Sequence, residues 1–168
     1  MGNLSAHFDK SEFEHGDTIP DELIPIFTFF AQNIMEPIRA FVGRPLIITS
    51  GYRTVATNSA AHGVGRSEHV ASQLHCAADF TFATAAAMTR RQAFDWIRSN
   101  SAIPFHQVIL ETSPSGSTII HVSLNRDPAI FWHRQALEGA TANASPYTSW
   151  EVVAYNPQIA ELGKQENA

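Results

Sequence analysis

Apolar and polar residues alternate with a helical period in the first third of the chain and again near its middle. Apolar residues recur three and four apart over 22–41, where Asp21 is predicted to cap a long helix and Gly43 to end it. A second helix is predicted over 90–99, with Thr89 as its N-cap. Both segments pair an apolar face with a polar one and are expected to pack against a sheet.

Short apolar runs that are typical of β-strands occupy 45–51, 76–82, 106–111 and 118–124. The first, "PLIITSG", is rich in β-branched residues and predicts a buried strand, and "TSPSGS" predicts the turn of a hairpin between the last two. Further on, "TSWEVVAY" indicates a strand and "QIAELGKQENA" a helix. The fold class we predict is α+β, with one domain over 1–168 whose small, mostly antiparallel sheet packs against helices.

Composition narrows the possible functions. The chain has 168 residues, 44% hydrophobic and 16% charged, with a net charge of -5 and no basic block. This argues against nucleic acid or an anionic membrane surface as a partner. The single cysteine, Cys76, excludes an internal disulfide and is expected in the core. Neither a secretory signal nor an apolar run of the roughly 20 residues of a membrane span is recognisable. Eight histidines are the first indication of a metal.

Three of the predicted strands carry an ionisable residue on the face opposite their apolar side chains. Because side chains alternate along a strand, Asp79, Glu111 and His121 can converge on one surface of the sheet. A hairpin turn about Gly116 would put Glu111 directly opposite His121, and a turn about Ser115 would make the two diagonal neighbours. Either register keeps both side chains within reach of one bound ion.

The stretch "HVASQLHCAADF" offers two histidines to such an ion. In a continuous strand His75 and Asp79 would lie about 13 Å apart, too far for metal bonds of about 2.0–2.2 Å to both. His75 qualifies only if the strand begins after it, whereas His69 lies in a glycine-rich loop that can fold back onto the sheet. We therefore favour His69, with His75 as the alternative.

A site with three protein ligands leaves the fourth zinc position open for water, as catalytic zinc sites do. His69, Asp79 and His121 are the candidate ligands. Zinc lowers the pKa of its water to around 7, and a carboxylate beside that water has to act as general base. Glu111 is placed for this role. Glu68 is a rival because it adjoins His69, although neighbours in sequence usually face apart.

The segments "HFDKSEF", "ITSGYRTVATN", "SEHVASQLHCAADF", "FHQVILE" and "IIHVSL" follow the order found in one enzyme family. Over 6–124 the chain resembles zinc peptidases of the D-alanyl-D-alanine carboxypeptidase type, which include phage endolysins that cut peptidoglycan stem peptides. The remainder, 125–168, forms an extension of open role. It either closes one side of the cleft or contacts a partner.

This resemblance implies a role for each matching residue. It implies one zinc per chain, held by His69, Asp79 and His121, and Glu111 as the base that also returns the proton to the leaving amine. Arg53 would stabilise the oxyanion or hold a substrate carboxylate, although a salt bridge that anchors the loop is the competing interpretation. Ser67 would help to orient substrate.

The spacing departs from the family pattern in two places. Nine residues separate His69 from Asp79 where the family usually has six, and counting back by the usual spacing reaches Ser72, a poor ligand. A three-residue insertion in the loop explains this, and it keeps His75 as a possible substitute. The turn "TSPSGST" is also longer than the family's connection, a length that a hairpin can absorb.

The resulting hypothesis is a zinc metallopeptidase that hydrolyses peptide bonds of peptidoglycan stem peptides or crosslinks, as a carboxypeptidase or an endopeptidase. It would be made in the cytoplasm and act at the cell wall or in the periplasm. The alternative is a catalytically silent, zinc-stabilised structural or cell-wall-binding module, with a phage particle or similar assembly as its setting. The altered loop spacing favours this alternative, and the presence of Glu111 favours the enzyme.

Overall fold

A computed structural model describes residues 2–85, 88–140 and 147–158. Within this part of the chain, six strands form one sheet in the order β1-β2-β4-β3-β5-β6. All neighbouring strands are antiparallel except β3 and β5, which are parallel. The strands are β1 (Ile47–Ser50), β2 (His75–Thr81), β3 (Gln107–Thr112), β4 (Thr118–Asn125), β5 (Gln135–Ala140) and β6 (Thr148–Trp150). The predicted α+β class with a mostly antiparallel sheet is confirmed.

The first long helical region runs from residue 21 to residue 42 but changes geometry along its length. It comprises a 3-10 turn (Asp21–Leu23), α1 (Ile24–Phe30), a π-helical turn (Ala31–Met35) and α2 (Glu36–Val42). Pro37 has no N–H to donate to the carbonyl of Asn33, which accounts for the widened turn before it.

The sequence predicted the end of this region correctly but not its start. The expected cap was wrong, because Asp21 is the first residue of the 3-10 turn and Pro20 precedes it without a side-chain cap. The predicted end is confirmed, because Gly43 adopts the left-handed conformation with φ of 71°.

The other helical elements are a 3-10 turn (Lys10–Phe13), α3 (Val55–Ala60) and α4 (Arg90–Arg98). Thr89 caps α4 as predicted, because its side chain accepts from the backbone N–H of Gln92 while the Gln92 side chain accepts from Thr89. The strand expected in "TSWEVVAY" is β6. The helix expected over 158–168 lies outside the described residues except for its first position.

The helices cover one face of the sheet and leave the other face for the site. The apolar faces of β2, β3 and β4 join α1, α2 and α4 in one core, to which Cys76 belongs as expected. Phe41 of α2 stacks on Trp96 of α4 with ring centroids 4.3 Å apart. The prediction of a buried first strand was only half right, since β1 forms an edge of the sheet and Ile47 is 56% exposed while Ile48 is buried.

Glu36 attaches the N-terminal segment to α2. Its carboxylate accepts from the Ser5 hydroxyl at 2.7 Å and the His7 backbone N–H at 2.8 Å, and it lies 2.9 Å from His7 Nδ1. Partial burial acts to raise the pKa of Glu36, but these hydrogen bonds outweigh it and lower the pKa. A lowered folded-state pKa means that the carboxylate stabilises the fold above its unfolded pKa of about 4.3, and that this stabilisation disappears as the pH falls through the folded value.

We therefore expect Glu36→Gln to reduce the free energy of unfolding by about 1 kcal/mol at pH 7, with the difference from wild type shrinking below about pH 4. Urea unfolding between pH 3 and pH 8 measures this. Glu22→Gln, at an exposed position in the first turn of the same helical region, is the control. A constant difference at every pH would contradict the assigned role.

Candidate active site

A cleft with a volume of about 960 Å³ lies on the face of the sheet that the helices leave uncovered. Strands β2, β3 and β4 form its floor, and the loop between α3 and β2 forms one wall. The described part of the C-terminal extension adds Asp127, Ile130, Leu137 and Tyr147, so the extension closes one side of the cleft. All six site residues predicted from the sequence line it: Arg53, Ser67, His69, Asp79, Glu111 and His121.

Three of these side chains form a tight cluster on the floor of the cleft. Asp79 on β2 pairs directly with His121 on β4, and Asp79 Oδ1 lies 2.8 Å from His121 Nδ1. His69 Nε2 completes the group, 3.2 Å from Asp79 Oδ1 and 3.3 Å from His121 Nδ1. His69 and His121 are only 4% and 8% exposed, so the cluster is shielded from bulk water.

The segment between β1 and α3 holds His69 by both its backbone and its ring. The ring Nδ1 lies 2.6 Å from the carbonyl oxygen of Gly51, and the His69 carbonyl accepts from the backbone N–H of Arg53 at 2.9 Å. A proton on Nδ1 that is donated to Gly51 leaves Nε2 with a free lone pair, the arrangement that metal-binding histidines use. The loop therefore presents a ligand atom despite its longer interval to Asp79.

His75 does not join the cluster. It is the first residue of β2 and pairs with Asn125, so it lies four residues along the strand from Asp79. It lines the same cleft, but the group of ligand atoms lying within 4.8 Å of one another comprises His69, Asp79 and His121. The geometry therefore brings His69, and not His75, together with Asp79 and His121.

The cluster fits a divalent metal ion. Four ligands arranged tetrahedrally around an ion at about 2.0–2.1 Å are separated by roughly 3.3 Å. The observed separations of 2.8–3.3 Å between two ring nitrogens and a carboxylate oxygen require only a slight expansion to reach this. Two imidazoles and one carboxylate are also a ligand set of catalytic metal sites that keep one position open.

The charge of Asp79 favours cation binding. Burial acts to raise its pKa, but electrostatic attraction to His69 and hydrogen bonds with His121 and His69 more than offset this and hold the pKa well below its usual range. For His121, burial acts to lower the pKa, and the Asp79 carboxylate reverses this and raises it. The cluster therefore contains a carboxylate that stays ionised at neutral pH.

Glu111 lies on the same face as the cluster. Ile109 pairs with His121 and Glu111 with Ile119, so Glu111 is the diagonal neighbour of His121 and the hairpin turns about Ser115. Burial raises the pKa of Glu111, and the nearby Asp79 charge adds to this, against opposing contributions from His121, Tyr147 and Arg53. A carboxylate with a raised pKa is a stronger base near neutral pH.

Glu68 also lines the cleft, but its carboxylate bonds to other partners than the cluster that His69 joins, in line with the expectation that the two side chains face apart. Its Oε1 atom lies 2.8 Å from His106 Nδ1 and accepts from Asn125 Nδ2 at 2.8 Å. Burial acts to raise the pKa of Glu68, but the hydrogen bonds from His106, Ser123 and Asn125 lower it overall. A carboxylate that already accepts hydrogen bonds and has a lowered pKa is a poorer base than Glu111, whose pKa is raised.

Arg53 and Ser67 both support the site. Arg53 donates from Nε and Nη2 to the Ser50 hydroxyl at 2.9 and 2.7 Å, and Nη2 lies 3.4 Å from Asp79 Oδ2. The guanidinium group therefore links the end of β1 to β2 and also places a positive charge in the cleft. The Ser67 hydroxyl accepts a weak hydrogen bond from the His69 backbone N–H at 3.4 Å, a contact within the loop between α3 and β2.

Two contributors to the site went unrecognised in the sequence, Gly51 and Tyr147. Tyr147 lines the cleft together with Glu111 and acts to lower the pKa of that carboxylate. A tyrosine 36 positions after its partner, in a segment without a motif, gave no signal. Gly51 was recognised only as the end of a strand, whereas its carbonyl also orients His69.

Only glycine fits at position 51. A Cβ atom there would lie 2.5 Å from the Phe13 carbonyl oxygen and 2.7 Å from Phe13 Cα, both rigid backbone atoms. We expect Gly51→Ala to lower the free energy of unfolding by about 1–3 kcal/mol and to weaken metal binding, because the carbonyl that orients His69 moves. Thermal unfolding and metal titration measure the two effects.

Gly65→Ala is the matched control for this prediction. Gly65 lines the same cleft, but a Cβ atom there would meet nothing within 4 Å. Equal stability and metal affinity of the two alanine variants would contradict the role of Gly51.

The candidate metal centre and the adjacent carboxylate are the groups that a metal-dependent hydrolase needs. The chain belongs to the Peptidase M15 family, whose model matches residues 9–107. Arg53, His69 and Asp79 lie inside the match, and Glu111 and His121 follow it. No curated protein and no solved structure gives a significant match. Within the described residues, no helix is long and apolar enough to cross a membrane.

Proposed function

We propose that this protein is a zinc-dependent metallopeptidase that hydrolyses peptide bonds of bacterial peptidoglycan, in stem peptides or crosslinks. The observation that carries the proposal is the buried His69–Asp79–His121 cluster on the floor of a wide cleft that Glu111 and Arg53 also line, in a chain of the Peptidase M15 family. Zinc is the proposed ion because it prefers nitrogen and oxygen ligands in a tetrahedral arrangement.

Each residue of the cleft has a separate role in the proposed hydrolysis. A bound zinc ion would polarise the scissile carbonyl and make the attacking water more acidic. Glu111 takes a proton from that water and returns it to the leaving amine, for which its raised pKa suits it. Arg53 offers its positive charge to the developing oxyanion or to a substrate carboxylate. His69, Asp79 and His121 hold the ion, and Gly51 keeps the His69 ring oriented.

The substrate class is tested by incubating the zinc-loaded protein with purified peptidoglycan and separating the soluble products. We expect peptides or free D-alanine to appear with the wild type and not after chelation of the metal. Free D-alanine alone would indicate a carboxypeptidase, and larger peptides an endopeptidase. No release from peptidoglycan of either the diaminopimelate or the lysine type would reject the proposal.

Such a rejection would favour a silent, zinc-stabilised binding module in the cell wall or in a phage-like assembly. The longer loop before Asp79 suggested this module, but His69 reaches the cluster in spite of it. The proposed site of action is the cell wall or periplasm, with peptidoglycan peptide as the partner.

A further inference from the structure

We propose that Tyr147 is a positioning residue for Glu111: its hydroxyl fixes the orientation of the Glu111 carboxylate, and its ring lies on a platform that Gly139 provides. This inference rests on the proposed function, in which Glu111 is the general base. Tyr147 lies in the C-terminal extension, 40 residues beyond the end of the family match at residue 107.

The sheet register puts the three residues together. Strand β5 runs parallel to β3, and Gly139 pairs with Glu111 across the two strands. Paired residues of neighbouring strands share a face, so position 139 faces the cleft beside Glu111. Glu111 and Tyr147 both line that cleft.

Tyr147 occupies the space that a side chain at position 139 would need. A Cβ atom on Gly139 would lie 2.4 Å from Cδ1 and 2.7 Å from Cε1 of the Tyr147 ring. The absence of a side chain at 139 therefore lets the ring approach the sheet next to Glu111. Any larger residue would displace the ring, and its hydroxyl with it.

The Tyr147 ring packs over Gly139, which pairs with Glu111, and this puts the phenol beside the Glu111 carboxylate, whose pKa it acts to lower as a hydrogen-bond donor would. Burial raises the pKa of Tyr147, and the negative charge of Glu111 adds to this, so the phenol stays protonated and donates. A donor on one carboxylate oxygen restricts rotation of the group and leaves the other oxygen free to accept a proton. Precise placement of a general base is worth large factors in rate, so loss of this bond should reduce turnover.

The first test is Tyr147→Phe, which removes only the hydroxyl. With one zinc per chain retained, we expect kcat on peptidoglycan peptides to fall about tenfold, as for the loss of a charge-assisted hydrogen bond, while KM changes less than twofold. Tyr155→Phe is the control, because Tyr155 packs with Phe131 and Trp132 and does not line the cleft. An unchanged kcat in Tyr147→Phe would overturn the proposal.

A double-mutant cycle tests the platform. Gly139→Ala should reduce kcat about as much as Tyr147→Phe in the wild-type background, because the new methyl group displaces the ring. In a Tyr147→Ala background the same change should have little further effect. Equal effects of Gly139→Ala in both backgrounds would mean that the glycine acts independently of Tyr147, which would overturn the platform.

A stability cycle without metal separates this inference from the proposed function. If the wild type releases nothing from peptidoglycan, the proposed function fails, and thermal unfolding of Tyr147→Phe, Glu111→Ala and the double variant still tests the contact. A loss in Tm for the double variant that is smaller than the sum of the single losses supports the bond. Additive losses would overturn it.

Discussion

Glu111→Gln is expected to lower kcat on peptidoglycan peptides by roughly 10²–10⁴ while the protein keeps one zinc per chain. The amide matches the carboxylate in size but does not accept a proton at neutral pH. Glu111 is the diagonal neighbour of His121 and lies outside the His69–Asp79–His121 cluster, so its replacement removes the base without removing a ligand. Steady-state kinetics and zinc content of the same preparation measure the two effects.

Glu138→Gln is the matched control for this variant. Glu138 lies on the neighbouring strand β5, pairs with Leu110 on the apolar face of β3, and bonds to Arg91 and Trp150 instead of lining the cleft. We expect it to keep full kcat. Full activity of Glu111→Gln with bound zinc would contradict the assignment of the base, and loss of its zinc would move Glu111 from base to ligand.

The second large effect concerns metal binding by two histidines, His69 in the loop before β2 and His75 at the start of β2. His69→Ala is expected to lose zinc, because Nε2 of His69 lies 3.2–3.3 Å from the other two ligand atoms. His75→Ala is expected to keep zinc, because His75 lies at the far end of the strand, opposite Asn125. The substituted residues belong to the same segment, so each variant controls for the other.

Zinc binding should also raise the thermal stability of the fold. Free zinc at about 100 times its Kd stabilises a fold by about 2.7 kcal/mol, which for a domain of this size raises Tm by roughly 5–10 °C. We expect this rise in the wild type and in His75→Ala, and no rise in His69→Ala. Thermal unfolding with zinc and with chelator measures it, and circular dichroism before heating shows that each variant is folded.

The part of the site carried by strands could be predicted from the sequence because strand geometry has a fixed period. Alternation alone put Asp79, Glu111 and His121 on one face, and the hairpin length limited Glu111 and His121 to two registers, of which the diagonal one is observed. The distance along a continuous strand argued against His75 as a ligand together with Asp79 and left it open only for a strand that begins after it, whereas β2 begins at His75 itself. These inferences hold for any continuous strand.

The parts that escaped prediction depend on contacts between distant segments. Nothing local distinguishes the tyrosine of "SPYTSW" as a partner of Glu111, because the parallel pairing of β5 with β3 brings them together. The hydrogen bonds of the Glu68 carboxylate with His106 and Asn125 likewise depend on strand pairing. The exposure of Ile47 follows from the place of β1 at a sheet edge, which a single strand's sequence does not encode.

The most direct test of the central claim is zinc per chain, by elemental analysis, in wild type, His69→Ala and His75→Ala purified side by side after growth with zinc. The account predicts one zinc in the wild type and in His75→Ala, and none in His69→Ala. Loss only in His75→Ala would contradict the choice of ligand. No zinc in any of the three proteins would contradict the zinc peptidase itself.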